Sequence, residues 1–500
     1  MTYPWPLTFF LCLLPIASAL FYFFFADKSP PKKLPPGPSS LPLLGNLHQL
    51  RNPLHLSLLN LAKRHGDLMF IRAGFVPTLV ISSADAARDV IKNHDLAFSG
   101  RPCLHVASKI SYDNTDIVFS PYGDHWREMK KIAILELLSV KKVQSFGAVR
   151  DDEVALLVNS IHGSLETPVD LSELLHRLSN NVVCRVAFGR KFQAKSSELS
   201  PQEMLKETQA LIGSICLSDF FPWLQWLNKL NGVDARLKKN FNDLDRLFDQ
   251  LIHEHLRTKK HSHEDRDLID VLLRLRSEPN RNVAITDKLI KALISDMFIA
   301  GTDTSSATLT WAMTELLRNP RVMKRAQEEV RSTVKGRRSV AQIDLPRLTY
   351  LNAVVKETLR FHPPGPLLIP RETIDAVTIR GYDIPAGTRV FINATAISMD
   401  PRSWSEPEKF LPERFLENPI DFIGNHFEFI PFGAGRRICP GTNFAVCLIE
   451  LTLANMLHRF DWKLPSGVTR DNMNVEEAIG LTVLKKTPLV LIPVLAGGAE

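Results

Sequence analysis

The amino-acid sequence predicts a mainly helical body with a minor share of β-sheet, and three observations carry that reading. Apolar residues recur at three- and four-residue spacing through residues 54–63, 151–161, 235–256 and 321–334, the period of amphipathic helices. One helical run extends from Thr286, a candidate N-cap, to about Arg318, where Asn319-Pro320 ends it. At ~1.5 Å per residue that run is close to 50 Å long and crosses the whole body. Three stretches read instead as strand pairs: residues 68–82 broken at Gly74, 377–393 broken at Pro385-Ala386-Gly387, and 481–495 broken near Lys485-Lys486.

Composition bounds the class. With 500 residues the chain can bury a large core, and 45% hydrophobic with 23% charged residues is close to the globular average. Wholesale disorder, collagen-like repetition and a multi-span transporter are excluded. A net charge of +7 is too modest for this length to imply nucleic acid. The six cysteines, Cys12, Cys103, Cys184, Cys216, Cys439 and Cys447, form no CxxC pair, so neither a disulfide framework nor a zinc ribbon is spelled out and a reducing compartment fits best. The polar run HEHLRTKKHSHEDRD at residues 253–267 lacks an HExxH pattern and reads as a solvated helix end and loop.

Residues 7–25 (LTFFLCLLPIASALFYFFF) carry no charge, and nineteen residues at ~1.5 Å each give about 28 Å of helix, enough to cross a bilayer core. Ala17-Ser18-Ala19 has the look of a signal-cleavage site, but no Lys or Arg precedes the apolar run, and the run continues beyond it. An N-terminal transmembrane anchor is therefore expected. Lys28, Lys32 and Lys33 follow the span, which puts the body in the cytosol. Pro30, Pro31, Pro35, Pro36, Gly37 and Pro38 form a stiff connector. The expected division is 1–28 anchor, 29–45 connector and 46–500 catalytic domain.

The strongest chemical signal is Pro431-Phe432-Gly433-Ala434-Gly435-Arg436-Arg437-Ile438-Cys439-Pro440-Gly441, one cysteine in a glycine-rich loop just before an apolar helix at 444–458. Glycines let the backbone turn sharply against a flat cofactor, and N–H groups at a helix start can hydrogen-bond to sulfur. A lone cysteine is more often simply buried, and a dinucleotide loop is excluded because Ile438 occupies the last glycine position. The long helix carries Ala300-Gly301-Thr302-Asp303-Thr304-Ser305 at its middle, a run of poor helix formers. Such a run lets a flat group approach, or lets two helices pack closely; a threonine hydroxyl freed from its i−4 carbonyl would donate into a distorted groove. Glu357 and Arg360, one turn apart, would alone be an ordinary ion pair.

Taken together these motifs resemble the cytochrome P-450 family. PFGAGRRICPG matches FxxGxRxCxG in the form common to plant members, AGTDT matches (A/G)GxDT, and Glu357-Thr358-Leu359-Arg360 is followed by Pro412-Glu413-Arg414-Phe415 in the family's order. The resemblance covers nearly the whole chain and is to plant microsomal members of the 71 clan. It implies a fold with a long central helix over haem and small β-sheets. Haem b would take the Cys439 thiolate as axial ligand, with Phe432 in the cofactor loop, a ligand that favours O–O cleavage. Thr304 would hold the activated oxygen and its water, and Asp303 would feed protons from solvent. Glu357, Arg360 and Arg414 would lock the loop behind the haem as structural residues. Trp126, Lys130, Arg101, Arg371 and Arg437 are the implied partners of the haem propionates. Gly37 resembles the hinge after the anchor, and Phe98-Ser99-Gly100-Arg101-Pro102 the segment leading into the substrate-facing loop.

Two departures stand out. The family's W-x-x-x-R reads Trp126-Arg127-Glu128-Met129-Lys130 here, so the bidentate fork is lost and Arg127 is a possible substitute. Residues 393–401, NATAISMDP, replace the NAWAIGRDP of plant relatives and put local packing in question.

The implied reaction is insertion of one oxygen atom from O₂ into a lipophilic small molecule such as a terpenoid, alkaloid or phenolic. The implied pocket draws on residues 103–122, 211–221, 293–300, 365–369 and 479–482, which are largely apolar. No nucleotide fingerprint is complete, so no flavin or nicotinamide of its own is expected. Electrons would come from a membrane-bound NADPH-cytochrome P-450 reductase, with cytochrome b5 as a second implied donor, meeting Arg127, Lys131, Lys141, Lys142 and Arg436 or finding these to be ordinary solvated cations. The endoplasmic reticulum membrane and its lipid complete the implied setting. Oxidative cyclisation, coupling or desaturation, a reductase-independent haem-thiolate isomerase or dehydratase, and a haem-binding carrier remain open readings of the same motifs.

Overall fold

Helices form where the apolar period places them. The computed structural model describes residues 33–192, 200–214, 216–258, 267–278, 283–478 and 480–497. The principal helices are α1 (Leu54–His65), α2 (Asp124–Ile132), α3 (Gly147–His162), α4 (Leu171–Phe188), α5 (Pro201–Ile212) and α6 (Val233–Thr258). They continue with α7 (Leu268–Ser277), α8 (Asp287–Arg318), α9 (Pro320–Thr333), α10 (Thr349–Phe361), α11 (Ala394–Ser398) and α12 (Thr442–Arg459). Several starts are set by side-chain caps. Thr286 accepts from Leu289 N at 3.2 Å, Asp170 from Glu173 N at 3.0 Å, and Ser200 with Glu203 makes a reciprocal capping box. Asn319-Pro320 both ends α8 and begins α9, because proline lacks the N–H that a first helical residue does not need.

Helix α8 runs through the centre, with α4, α10 and α12 packed along it. It meets α4 at Gly301, where a Cβ would stand 2.9 Å from Val183 Cγ2. Gly301→Val is therefore expected to cost ~1–3 kcal/mol by overpacking. Chemical denaturation of this variant beside the parent measures it.

The sheets differ in part from the expected pairing. Strands β1 (Leu68–Ala73) and β2 (Val76–Ile81) pair antiparallel around Gly74, as the alternation predicts. Strand β3 (Val169–Asp170) lies in another sheet, β4 (Arg371–Glu372) joins the first, and β5 (Val377–Ile379) and β6 (Tyr382–Ile384) form a separate hairpin. Residues 377–393 thus turn back at Arg380-Gly381, both with positive φ, rather than at Pro385-Ala386-Gly387. Strand β7 (Arg389–Ile392) instead enters the four-stranded sheet β1-β2-β7-β4, parallel to β2. In 481–495 only β9 (Val490–Leu495) is a strand; it pairs with β8 (Phe460–Lys463) and β3, not with residues 481–485. Alternation reveals a strand but not its partner, which here lies far along the chain.

Gly37 is required by its surroundings: a side chain there would collide with the Phe70 carbonyl beside the Phe70 N–H to Pro36 O bond. The 253–267 run ends α6 and caps α7. Both ring nitrogens of His255 are engaged, by Leu251 O at 2.7 Å and Asp267 at 2.8 Å, and Asp267 accepts from Asp270 N at 3.0 Å. Residues 7–25 lie outside the described residues, among which no helix is long and apolar enough to cross a membrane.

Candidate functional site

The cysteine loop is folded by its own glycines. Gly433 and Gly435 adopt φ of +70° and +69°, and a Cβ on Gly435 would stand 2.6 Å from Ile91 Cγ2, so the second glycine is also demanded by space. The turn closes with Cys439 N–H donating to Phe432 O at 3.0 Å, and the Thr442 hydroxyl donates to Cys439 O at 3.1 Å as α12 begins. Phe432 packs edge-on to Phe422 at 5.4 Å between centroids. Cys439 is exposed to water, yet protein atoms crowd around its sulfur. Burial pushes its thiol up from the ordinary range; the Gly441 N–H, the Thr442 hydroxyl and the charge of Lys130 oppose this by favouring the thiolate.

Around the loop stands a ring of cations. Arg437 donates through Nε to Ser99 O at 2.9 Å and through Nη2 to Ser120 O at 2.8 Å, and its guanidinium lies 4.1 Å from the Trp126 ring centroid. Its Nη1 is buried with no hydrogen-bond partner. Arg371 reaches Asp95 at 3.1 Å and Ala434 O at 2.9 Å. Arg101 donates to Val118 O at 2.8 Å, Ile369 O at 2.7 Å and Pro370 O at 2.8 Å. Trp126 Nε1 donates to Ile117 O at 3.0 Å. Lys130 donates to the carbonyls of Arg436 and Ile438, so lysine at this position is tied to the cysteine loop itself. Arg127 does not substitute for the lost fork: it is exposed and paired with Asp124.

Burial, then mutual repulsion, dominates this ring. Arg101 and Arg437 are held below the usual arginine range, and Lys130 is pushed down to about 8, each by desolvation first and then by neighbouring guanidiniums. Asp95 is already shared between Arg371 and Arg436. A surplus of buried positive charge with an orphaned Nη1 fits a group carrying two carboxylates, as haem does. Of the other candidate surface cations, Lys131 lies 4.0 Å from Glu128, Lys141 is exposed, and Lys142 sits over Phe146 at 5.1 Å.

Residues 117–120 join this ring to the central helix. Ile117 N donates to Asp296 on α8 at 2.8 Å, and Phe119 N to both oxygens of Asp116 at 3.0 and 3.1 Å. Burial, followed for Asp296 by the neighbouring Asp116 charge, raises both carboxyls from the ordinary range. Asp95, Asp116 and Asp296 were not singled out by sequence reasoning; their partners are up to hundreds of residues away, and no local pattern marks them.

On α8 the small-residue run divides its roles by direction. Gly301 serves helix packing, while Ala300 is exposed and Thr304 half-exposed on another side of a helix otherwise largely buried. The expected release of the Thr304 hydroxyl is not found: α8 is continuous, and Oγ1 donates to Ala300 O at 2.8 Å. With its proton so used, that oxygen offers its remaining lone pair as an acceptor. Asp303, ~100° further round the helix, points instead toward α4, where its Oδ1 lies 3.1 Å from His176 Nε2. His176 was also absent from the sequence reading.

The Glu357, Arg360 and Arg414 triad forms as expected. Arg360 grips Glu357 with two bonds of 2.7 and 2.8 Å, Arg414 adds one of 3.2 Å, and Leu411 N donates to the same carboxylate at 2.8 Å. The two arginines also hold the carbonyls of Ser398, Ser405, Glu406, Pro407 and Lys409. The altered 393–401 segment is well packed: α11 is buried throughout, and Asn393 caps it while donating to His55 O at 2.8 Å.

The cytochrome P450 family model matches residues 35–492. Cytochrome P450 71A9 of Glycine max is 54% identical over 465 residues, 92% of each chain. Strychnine-11-hydroxylase of Strychnos nux-vomica is 53% identical over 92% of this chain and 91% of its own. A zebra fish cytochrome P450 solved with abiraterone superposes with a TM-score of 0.76 at 28% identity, covering 89% of this chain and 100% of that one. With its cysteine loop, cation ring and central helix, the chain belongs to the cytochrome P450 family, enzymes that use haem bound through a cysteine thiolate.

Proposed function

We propose that this protein is a monooxygenase inserting one oxygen atom from O₂ into a lipophilic small molecule of plant specialised metabolism. The observation that carries the reading is Cys439 in its glycine-turned loop, inside a cation ring with an orphaned guanidinium nitrogen. Cys439 would hold the haem iron through its thiolate, and Phe432 fixes its loop through the Cys439 N–H to Phe432 O bond. Arg101, Arg371, Arg437, Lys130 and Trp126 would hold the two propionates, the free Arg437 Nη1 being the first available donor. When bound, haem supplies one-electron and O₂ chemistry, tuned by the thiolate.

The chain's own residues bind, orient and move protons. Thr304 Oγ1, donating to Ala300 O, accepts a hydrogen bond from a water at the reacting position. Asp303 holds the proton supply behind it, and Glu357, Arg360 and Arg414 keep the loop rigid. The apolar segments around residues 103–122 and 211–221 exclude water from the substrate, while NADPH-cytochrome P450 reductase delivers electrons. The N-terminal anchor at 1–28 and the connector at 29–45 tether the catalytic domain to the cytosolic face of the endoplasmic reticulum. Relatives named as a strychnine hydroxylase and a costunolide synthase support a specialised metabolite as substrate, with alkaloids, terpenoids and phenolics as the classes to test.

The test is turnover in microsomes holding this protein and a plant reductase, with NADPH, labelled O₂ and a panel of alkaloids, terpenoids and phenolics. A product gaining one labelled oxygen is expected. NADPH-dependent loss of two hydrogens without label would replace insertion by oxidative coupling or desaturation. Thr304→Ala is expected to keep haem while lowering product per NADPH about tenfold or more, with the balance released as peroxide. Full coupling in that variant would remove Thr304 from proton delivery.

A further inference from the structure

We infer that His176 on α4 is the solvent-side proton carrier for Asp303, so that the site draws its protons through the α4 and α8 interface. The inference rests on the reading of Asp303 and Thr304 above. Asp303 is 4% exposed, and among the described residues the hydrogen-bond partner of its carboxylate is His176 Nε2 at 3.1 Å. A buried carboxylate is costly without a donor, and from α4 the donor that reaches it is His176, the buried Ser179 hydroxyl and Asn180 Nδ2 making no hydrogen bond. His176 itself keeps 16% of its side chain accessible, so the imidazole that touches Asp303 is also partly open to water.

The residue type matters. A lysine or arginine here would neutralise Asp303 but hold its own proton, and an asparagine would donate without exchanging. Imidazole gains and loses a proton near neutral pH and has two nitrogens, so it can release a proton at one and take one up at the other. Monooxygenation consumes two protons and two electrons with each O₂, releasing one water beside the oxygenated product. In each relay step neutral His176, protonated at Nε2, takes a proton from water at Nδ1 as its Nε2 proton passes to Asp303 Oδ1, and a turn of the ring then returns an N–H to Asp303. Asp303 returns to carboxylate as its proton moves to the Thr304 side of the helix. His176 touches neither substrate nor cofactor and is a positioning residue acting through Asp303.

The experiment compares His176→Gln, His176→Phe and Asp303→Asn in the full-length protein, with 7-ethoxycoumarin as probe substrate. Each is driven once by NADPH and reductase and once by iodosobenzene, which donates an oxygen atom without needing protons or electrons. Both His176 variants are expected to lose NADPH-driven product per NADPH by about fivefold to tenfold, with a raised solvent isotope effect and unchanged iodosobenzene-driven turnover. If His176→Gln stays coupled while His176→Phe does not, the imidazole only orients Asp303 and the carrier role is overturned. If both stay coupled while Asp303→Asn uncouples, Asp303 keeps its role and the route through α4 is overturned. If Asp303→Asn also stays coupled, the Asp303 reading falls and the inference with it. Independently of turnover, mass spectrometry in D₂O should find C2-hydrogen exchange at the His176 ring; a ring that never exchanges has no contact with solvent, which overturns the proposal.

Discussion

Cys439→Ser is expected to abolish the thiolate-type carbon monoxide spectrum and all oxygenation while leaving the fold intact. The reasoning is local. Cys439 is placed by backbone bonds, its own N–H to Phe432 O at 3.0 Å and the Thr442 hydroxyl to its carbonyl at 3.1 Å, which a serine retains. The turn is held by Gly433 and Gly435, which the substitution does not touch. What disappears is the sulfur anion that the Gly441 N–H and the charge of Lys130 favour. A hydroxyl is far less acidic and far less electron-donating than a thiol, so the electron push toward O–O cleavage is lost. Circular dichroism and the carbon monoxide difference spectrum together check this. An intact thiolate-type spectrum in the serine variant would move the axial ligand elsewhere.

Glu357→Ala is expected to be the most damaging substitution for stability. Glu357 and Arg360 are fully buried and Arg414 nearly so, and the one carboxylate receives Arg360 twice, Arg414 once and the Leu411 N–H. Removing it leaves two buried guanidiniums facing each other. Breaking one partner of a buried pair costs ~3–5 kcal/mol, because the uncompensated charge stays behind. The arginines also hold the carbonyls of residues 398–409, so the loss loosens the segment leading to the cysteine loop. Expression, denaturant midpoint and haem content should fall together. A Glu357→Ala protein of near-parental midpoint would show that the carbonyl contacts alone hold this segment.

Much of this was legible in order and spacing. The 3.6 period gave helices within a few residues of their bounds, and Thr286 and Asn319-Pro320 marked both ends of α8. The glycine-rich cysteine loop, the AGTDT run and the Glu357 triad follow from short-range pattern, since each depends on neighbours within a few residues or on a motif order along the chain. The strand partners were not legible. Residues 377–384 and 389–392 read as one pair but belong to different sheets, because alternation fixes which face is buried and leaves the choice of partner to the packing of distant segments.

The same division runs through the site. The sequence by itself determined the fold class, the thiol in its turn, the long central helix and the set of cations around them. Only the tertiary structure decided what those groups do to one another. It brought Asp95 to Arg371 and Arg436, tied Lys130 to the cysteine loop, turned Arg127 outward, and joined residues 117–120 to Asp296. It also returned the Thr304 hydroxyl to its own helix and set His176 against Asp303. The physical reason is that hydrogen bonds and charge effects act over a few ångströms, whereas most of these partners are far apart along the chain, as Asp95 is from Arg371 and His176 from Asp303, so their meeting is a property of packing and not of any local pattern.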